Sequence, residues 1–372
     1  MAKTSYVPSP AKIKVVGLGG AGCNAITRMV REQIRGVEFI AMNTDAQALA
    51  ITESAVRIQL GERATRGLGA GGDCQMGQKA AEESADEIKR SITGADMVFI
   101  TAGMGGGTGT GSAPMVAQVS KQSGALTIAV VTKPFNFEGT HRSQVAEEGI
   151  ADLIGKVDTL VIIPNDRLLE LCDQKTGVDG AFKLADEVLC HGVQAIAEVV
   201  TVPGLINLDF ADIKTVMKDA GPAWMSIGRG SGQNRAADAA KDALASPLLD
   251  VSAEGAKGVL FNIAGGTTLS LFEVNNAAEV IRQAVDPEAN IIFGVILDPN
   301  MGNEVRLTLI ATGFTSRDVL AGAARDKEIT RLLRGMKTEA ELEVPSFMRY
   351  RGPFGGHRRL TTTPPVVRSQ SR

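Results

Sequence analysis

Ten glycine-rich residues at 103–112, GMGGGTGTGS, follow an apolar stretch at 96–101. A buried strand that leads into glycines exposes many backbone N–H groups without a Cβ in the way, and Thr108 and Thr110 add hydroxyl donors. Such groups can surround an anion from several directions. We therefore interpret residues 103–112 as a loop, placed directly after a strand, that holds phosphate groups.

Short β-branched runs alternate with longer helical patterns through the first half of the chain. Helices are predicted at 24–35, 78–90 and 113–122, and strands at 13–16, 37–42, 97–101, 126–132 and 159–163. This alternation, with strands that read as nearly continuous apolar runs, is typical of parallel βαβ units whose sheet is covered by helices on both faces. A long helical pattern at 180–202 then ends at Pro203 and Gly204, which is a helix stop signal.

The second half is built differently, with strands predicted at 258–263, 291–297 and 304–311 and helices at 235–245 and 275–284. We predict an α/β protein in which a parallel-sheet, Rossmann-like domain is joined by a long central helix to a smaller α/β domain, with a disordered C-terminal tail. The predicted boundaries are 12–178 for the nucleotide-binding domain, 179–202 for the central helix, 203–314 for the C-terminal domain, 315–341 for a linker, 342–349 for a short peptide and 350–372 for a basic tail.

Composition excludes several classes of protein. The 372 residues are 44% hydrophobic and 22% charged, with a net charge of -3. Neither the overall composition nor the net charge favours nucleic-acid binding. The sequence has neither an apolar run of about 20 residues nor an apolar N-terminal signal segment, and we expect a cytoplasmic protein. The 4 cysteines and 3 histidines are scattered, which argues against zinc sites and disulfides.

A shorter glycine motif, GLGGAG at 17–22, satisfies GxGxxG, follows a strand and opens a helix, with Asp45 at the end of the next strand. Alone, this pattern indicates a dinucleotide-dependent oxidoreductase, or a tight turn that binds nothing. A dinucleotide enzyme has no evident use for the second loop, and the chain lacks the GxxxxGK[ST] motif of Walker-type enzymes. Two glycine loops favour one nucleotide held from two sides, with amides, helix N-termini and a divalent cation neutralising its phosphates.

Five motifs, which lie within a stretch from about residue 13 to residue 313, carry a family resemblance. GGGTGTG at 105–111 resembles the signature of the tubulin and FtsZ superfamily. The segments NTDAQ at 43–47, VTKPFNFEG at 131–139, IPND at 163–166 and NLDFAD at 207–212 resemble the bacterial FtsZ branch. The resemblance implies a GTPase that binds GTP or GDP with Mg²⁺, polymerises head to tail and forms the cytokinetic ring in bacterial cell division.

The resemblance also implies which residues contact the phosphates. The first loop, the signature loop and a glycine turn near the γ-phosphate would surround them, with further contacts from the ends of neighbouring strands. These residues are Gly19, Gly20, Ala21, Gly22, Cys23, Asn43, Asp45, Ala70, Gly71, Gly72, Gly103, Gly105, Gly106, Gly107, Thr108, Gly109 and Pro134. Mg²⁺ would be held mainly by the phosphates and water, with no protein metal site.

For the nucleoside, Glu138 and Arg142 match the family's ribose-contacting pair, although without the family they could be a solvated ion pair. The residues that resemble the guanine contacts are Asn24, Asn165, Phe182 and Asp186. A carboxylate can accept two hydrogen bonds from guanine that adenine cannot supply, which would favour GTP. Read only as helix positions i and i+4, Phe182 would be a core residue and Asp186 a surface residue.

Asn207, Asp209 and Asp212 follow the long helix and should lie at the opposite end of the domain from the phosphate loops. The resemblance implies that this acidic loop docks onto the nucleotide of the next subunit and orients the attacking water, so that hydrolysis requires assembly. Asp209 could equally be a helix N-cap with Asp212 in the first turn, and the two roles can coexist. An assembling nucleotide-binding protein without turnover is the alternative, which has no need for this acidic loop.

The segment LEVPSFMR at 342–349 resembles the C-terminal peptide by which FtsZ engages membrane-tethering division proteins. Its partner-binding residues would be Val344, Pro345, Phe347, Met348 and Arg349. The remaining tail contains arginines and no acidic residue. It either keeps the chain soluble or contacts anionic membrane or acidic surfaces of neighbouring filaments. The expected location is the cytoplasm, concentrated at the division site on the inner face of the membrane.

Overall fold

The structure, a computed structural model, describes residues 11–170, 177–201, 206, 209–246 and 255–314. Its first part runs through β1 (Ile13–Leu18), α1 (Gly19–Arg31), β2 (Val37–Asn43), α2 (Ala46–Ile51), β3 (Val56–Gln59), α3 (Glu62–Thr65), α4 (Cys74–Glu83), α5 (Ala85–Ile92), β4 (Met97–Gly103), α6 (Gly107–Gln122), β5 (Leu126–Lys133), α7 (Thr140–Ile154), β6 (Thr159–Pro164), α8 (Asn165–Leu169) and α9 (Val178–Thr201). Its second part contains α10 (Phe210–Met217), β7 (Gly221–Ser231), α11 (Arg235–Leu244), β8 (Gly258–Gly265), α12 (Leu271–Ala284), β9 (Asn290–Leu297) and β10 (Glu304–Thr312).

Strands β1 to β6 form a parallel sheet in the order β3-β2-β1-β4-β5-β6. Ile13 at the start of β1 lies opposite both Val37 of β2 and Met97 of β4. The chain therefore winds outward from β1 in one direction and from β4 in the other. This doubly wound order confirms the predicted fold class, and it places a crevice between the carboxyl ends of β1 and β4, where such sheets bind ligands.

Helices cover both faces of this sheet, as the apolar strands predict. Val15 packs with Ile26 of α1 and Val193 of α9 in one core cluster. Its neighbour Val16 points to the other face and packs with Val116 of α6 in a second cluster, to which α4, α5 and α7 also contribute. Because β1 is buried on both faces, its end is held in place from both sides.

The smaller part of the sheet continues as β7-β10-β8-β9, with α11 and α12 on one face. Strand β7 was not predicted, because its sequence GPAWMSIGRGS resembles a turn. Its glycines are required by packing, since a Cβ at Gly228 would overlap the carbonyl of Ala239 and one at Gly230 the carbonyl of Arg235. Close approach of α11 to the strand backbone therefore overrides the turn-like composition.

Helix α9 matches the long helical pattern predicted at 179–202. It has 24 residues, so it is about 36 Å long. Its last residue, Thr201, donates a hydrogen bond from Oγ1 to the carbonyl of Arg35, 3.2 Å away and just before β2 begins. The helix thus runs from the carboxyl edge of the parallel sheet, where Asp186 lies, to the amino edge.

The predicted linker at 315–341, the peptide residues Val344, Pro345, Phe347, Met348 and Arg349, and the tail at 350–372 lie outside the described residues. Asn207 lies outside them as well. Within the described part of the chain, no helix combines the length and the apolar character needed to cross a membrane.

Candidate functional site

A cavity of about 230 Å³ opens at the crevice between β1 and β4. The first turns of α1 and α6 form its floor, and residues from β5, α7 and α9 form its walls. Predicted residues that line it are Gly19, Gly20, Ala21, Gly103, Gly106, Gly107, Thr108, Gly109, Pro134, Glu138, Arg142, Asn165, Phe182 and Asp186. The topology therefore brings residues from five separate segments of the sequence to one place.

The glycine segment at 103–112 is mostly helical, which corrects its interpretation as a loop. Gly103 ends β4, only residues 104–106 connect the two elements, and α6 begins at Gly107. Glycine disfavours helices, but here α4 packs directly against the helix backbone: a Cβ at Gly107 would lie 2.8 Å from the carbonyl oxygen of Asp73. Thr110, predicted to donate to phosphate, is buried and instead accepts a hydrogen bond from the amide of Gly105 at 2.9 Å.

Both helices that point into the cavity have free N-termini. Leu18 and Gly106 occupy the N-cap positions of α1 and α6, and neither makes a side-chain hydrogen bond to the helix. Neither helix has an acidic residue in its first turn. The first N–H groups of two helices thus carry partial positive charge with no internal partner, which makes this floor an anion-binding surface.

The two glycine segments touch each other. Gly19 has a φ of 67°, in the left-handed region, and a Cβ there would lie 3.0 Å from the amide nitrogen of Gly109. Gly20 and Gly106 face open space, since a Cβ added at either residue would meet nothing within 4 Å. The backbones of α1 and α6 can therefore approach one ligand together, as two glycine loops around a single nucleotide require.

One wall carries an ion pair between Glu138 and Arg142, at 2.6 Å. Glu138 also accepts a hydrogen bond from the amide of Phe135 at 2.9 Å, and its side chain is only 8% exposed. The pair therefore exists, as the alternative interpretation required, but its carboxylate is largely buried. Arg142 is half exposed, so its guanidinium can turn toward a polar ligand.

The cavity lining also combines an exposed ring with a half-buried carboxyl group. Phe182 is 41% exposed and packs edge-on against Phe135, with ring centroids 5.4 Å apart. Burial raises the pKa of Asp186 to about 6, although the charge of Arg28 opposes the shift. Helix position alone predicted Phe182 in the core and Asp186 on the surface. The structure instead exposes Phe182 and covers much of Asp186, because this face of α9 borders the cavity.

Asn165 begins α8 and is buried, and its Oδ1 has no hydrogen-bond partner within the described residues. A buried acceptor without a partner costs free energy, so this atom favours a ligand that supplies a donor. Asp186 also lines the cavity and offers a second acceptor. Two acceptors and an exposed ring suit a flat, donor-bearing base.

Other predicted residues surround the cavity without lining it. Cys23 and Asn24 line a groove of about 630 Å³ that shares Gly20, Phe182 and Asp186 with the cavity. Gly22 lies beneath the floor, where a Cβ would come 2.5 Å from the carbonyl oxygen of Thr101. Gly105 has a φ of 95° and packs on the backbone of Arg142.

Asn43 and Asp45 support the floor from behind. The side chain of Asp45 caps α2 by accepting from the amides of Gln47 and Ala48, at 2.8 and 3.1 Å, and Asn43 Oδ1 accepts from the amide of Asp45 at 3.2 Å. A carboxylate used in this way is not placed to bind a ribose, which argues against the dinucleotide interpretation. The turn at Ala70, Gly71 and Gly72 lies next to Gly107, whose Cβ would come 2.9 Å from that of Ala70.

Asp209 and Asp212 are exposed and do not line the cavity. Asp209 occupies the N-cap position of α10, but its side chain makes no hydrogen bond to the helix, and Asp212 lies in the first turn. The far end of α10 is fixed by two buried hydroxyls, because Thr159 donates to the carbonyl of Met217 and Thr312 to that of Val216. Thr159 begins β6 at the amino edge of the sheet, so α10 is anchored at the edge opposite the cavity.

Five lining residues were missed by the sequence analysis: Leu18, Met104, Thr132, Ala185 and Leu189. The first three lie at or beside the carboxyl ends of β1, β4 and β5, where a sheet of this order presents its ligand contacts. The last two lie within one turn of Phe182 or Asp186 on α9, so helical periodicity from either residue identifies them.

Comparisons with known proteins cover most of the chain. Residues 12–173 match the GTPase domain of the tubulin/FtsZ family, and residues 221–315 match the C-terminal domain of the FtsZ family. An empty FtsZ dimer from M. jannaschii is 50% identical, with a TM-score of 0.81 over 83% of this chain and 90% of that chain. A GTPγS-bound protofilament of CetZ2 from Haloferax volcanii is 18% identical, with a TM-score of 0.71 over 87% and 99% of the two chains, a likeness of fold alone.

Proposed function

Since this chain belongs to the tubulin/FtsZ family, we propose that it is a polymerising GTPase whose active site is shared between two copies of the chain. GTP would occupy the cavity of one copy, and Asp209 and Asp212 of the next copy would reach its γ-phosphate. The supporting observation is the separation of the two groups, with the anion-binding floor at one edge of the sheet and α10 anchored at the other. One copy cannot bring its own acids to its own floor, whereas a head-to-tail contact can.

The residues of the cavity fit a guanine nucleotide. The first amides of α1 and α6 would bind phosphate oxygens, Glu138 and Arg142 would contact the ribose, and Phe182 would stack on the base. Asn165 and Asp186 would accept hydrogen bonds from guanine. Adenine lacks the corresponding donors, so it would leave two buried acceptors unpaired.

Hydrolysis would transfer the γ-phosphoryl group to water, yielding GDP and phosphate. Asp209 and Asp212 of the neighbouring copy would orient the attacking water, while the helix amides stabilise charge that develops on the phosphate oxygens. Among the described residues there is no cluster of His, Cys, Asp and Glu suited to a metal. We expect a Mg²⁺ ion to be held mainly by phosphate oxygens and water and to neutralise negative charge there.

Asp209 and Asp212 together are called the acidic edge. Its role is tested by comparing Asp212→Ala with Asp238→Ala, because both residues are exposed acids in the first turn of a helix. Asp212→Ala should bind GTP like the parent and lose phosphate release, and Asp238→Ala should retain both. Light scattering reports assembly in the same samples. Turnover by Asp212→Ala at the parent rate would refute the shared site.

A mixing experiment separates a shared site from one contained in a single copy. Gly20→Ala places a methyl group at the cavity floor and leaves the acidic edge intact, whereas Asp212→Ala does the reverse. Each variant alone should be inactive. The mixture should release phosphate at junctions that combine an intact cavity with an intact acidic edge.

The cellular role we propose is formation of a division ring on the cytoplasmic face of the membrane, with the segment at 342–349 binding a membrane-tethering protein. Phe347 and Met348 would be its apolar anchors. The arginines that follow would add contacts with anionic lipid, each contributing on the order of 1 kcal/mol. Co-sedimentation with anionic vesicles should be stronger for the full chain than for a chain truncated before Arg349, and equal binding at low salt would exclude the lipid contact.

A further inference from the structure

Two threonine hydroxyls meet directly behind the cavity floor. The Oγ1 atoms of Thr44 and Thr108 are 2.6 Å apart. Thr108 is the second residue of α6 and lines the cavity, whereas Thr44 is fully buried and does not. The sequence motifs indicate a role for Thr108 and none for Thr44.

Thr44 is held in place by its neighbours on both sides. It directly follows β2, and the next residue, Asp45, caps α2. Its carbonyl accepts hydrogen bonds from Thr65 Oγ1 and from the amide of Gly69, both at 3.3 Å. The Thr44 hydroxyl therefore projects from a backbone that has little freedom to move.

The number of hydrogen-bond acceptors near this pair indicates which hydroxyl donates. Thr108 Oγ1 is the one partner of the Thr44 hydroxyl among the described residues. Either oxygen could donate at this distance, but a buried hydroxyl proton without an acceptor is costly, which favours Thr44 as the donor and Thr108 as the acceptor. The proton of Thr108 is then left over, and the cavity is where it can find an acceptor.

We propose that Thr44 is a positioning residue that directs the hydroxyl proton of Thr108 toward a phosphate oxygen of the bound nucleotide. A phosphate oxygen only accepts hydrogen bonds, so the chain would run from Thr44 to Thr108 to phosphate, and each bond would polarise the next. This inference rests on the proposed function, since it requires a nucleotide in the cavity. Thr44 would act without touching the ligand.

The test uses GDP, which is not hydrolysed, and three variants. Thr44→Val keeps the shape of the side chain and removes its hydroxyl, and it should weaken GDP binding about five- to tenfold. Thr44→Ser retains the hydroxyl and should restore binding. Thr127→Val is the control, because Thr127 Oγ1 forms a similar buried pair with Ser120 Oγ at 2.7 Å away from the cavity, and it should bind GDP like the parent.

A double-mutant cycle distinguishes positioning from a general loss of structure. Thr108→Val should weaken GDP binding more than Thr44→Val, and adding Thr44→Val to it should cause no further loss. Equal losses in both backgrounds, or parent-like binding by Thr44→Val, would overturn the inference. Failure of the parent chain itself to bind GDP would instead overturn the proposed function.

Discussion

Gly20 and Gly22 stand two residues apart in the first turns of α1, yet alanine should have opposite effects at these positions. Gly20 lines the cavity, and a Cβ there meets nothing within 4 Å. At Gly22 a Cβ would come 2.5 Å from the carbonyl oxygen of Thr101. Gly20→Ala should therefore weaken ligand binding, whereas Gly22→Ala should destabilise the fold.

The magnitudes follow from these two environments. Alanine is favoured over glycine within a helix by up to about 1 kcal/mol, so Gly20→Ala should leave the protein equally stable or slightly more stable. Its methyl group should disrupt at least one hydrogen bond between an amide and a phosphate, weakening GDP binding by about 10- to 150-fold. For Gly22→Ala the overlap is about 0.8 Å relative to a normal C···O contact, and overpacking of this kind costs about 1–3 kcal/mol.

The assay combines GDP titration with urea denaturation followed by circular dichroism. Gly155→Ala is the matched control, because a Cβ there also meets nothing within 4 Å and Gly155 ends α7 away from the cavity. It should leave both GDP binding and the urea midpoint close to those of the parent. If Gly20→Ala bound GDP like the parent, or lost as much stability as Gly22→Ala, the assignment of the α1 backbone to the phosphate site would be wrong.

Three further predictions concern the base end of the cavity and the C-terminal domain. The pKa of Asp186 is about 6, and guanine requires the ionised carboxylate. GDP affinity should therefore rise up to about tenfold as the pH increases from 5 to 7. In GDP titrations at these pH values, Asp186→Asn should not show this rise in affinity. Phe182→Ala should weaken GDP binding about tenfold or more through lost stacking, with little change in the urea midpoint, because the ring is 41% exposed. Buried Arg235 pairs with Glu273 at 2.8 Å and lowers the pKa of that carboxyl to about 2, so stability from the pair is lost as pH falls toward 2. Arg235→Met should cost about 1–3 kcal/mol in denaturation at pH 7, through its lost hydrogen bonds, and should flatten the dependence of stability on acid pH. An unchanged pH profile of stability would contradict the role given to this ion pair.

Hydrophobic pattern was sufficient to predict α9 and five strands of the parallel sheet, because those segments are buried on several sides. It missed β3, an edge strand of only 4 residues that is largely not buried. The starts of α1 and α6, whose first turns are rich in glycine, were predicted wrongly. The sequence pattern placed α1 from residue 24 and α6 from residue 113, whereas they begin at Gly19 and Gly107. Local propensity disfavours glycine there, and contacts with distant segments, such as Asp73 against Gly107, decide the outcome.

In the site, too, some features follow from the local sequence and others only from tertiary packing. Strand ends and glycine motifs located the floor of the cavity, since both are local signals. The burial of Asp186 and the exposure of Phe182 depend on how α9 crosses the sheet, which no local pattern contains. Thr44 carries no motif of its own beyond NTDAQ, and only the fold brings its hydroxyl, just after β2, to Thr108 at the start of α6.

Strand β7 belongs to two ladders at once. Its first residues, from Gly221 to Ala223, pair in parallel with β6, and the residues from Trp224 onward pair antiparallel with β10. A fragment that ended at residue 178 would therefore leave the edge of β6 unpaired and would lose the remainder of α9, whose apolar residues belong to the core cluster beneath the sheet. Such an edge invites pairing with other chains, so a nucleotide-binding fragment that ends at residue 178 should aggregate when produced alone.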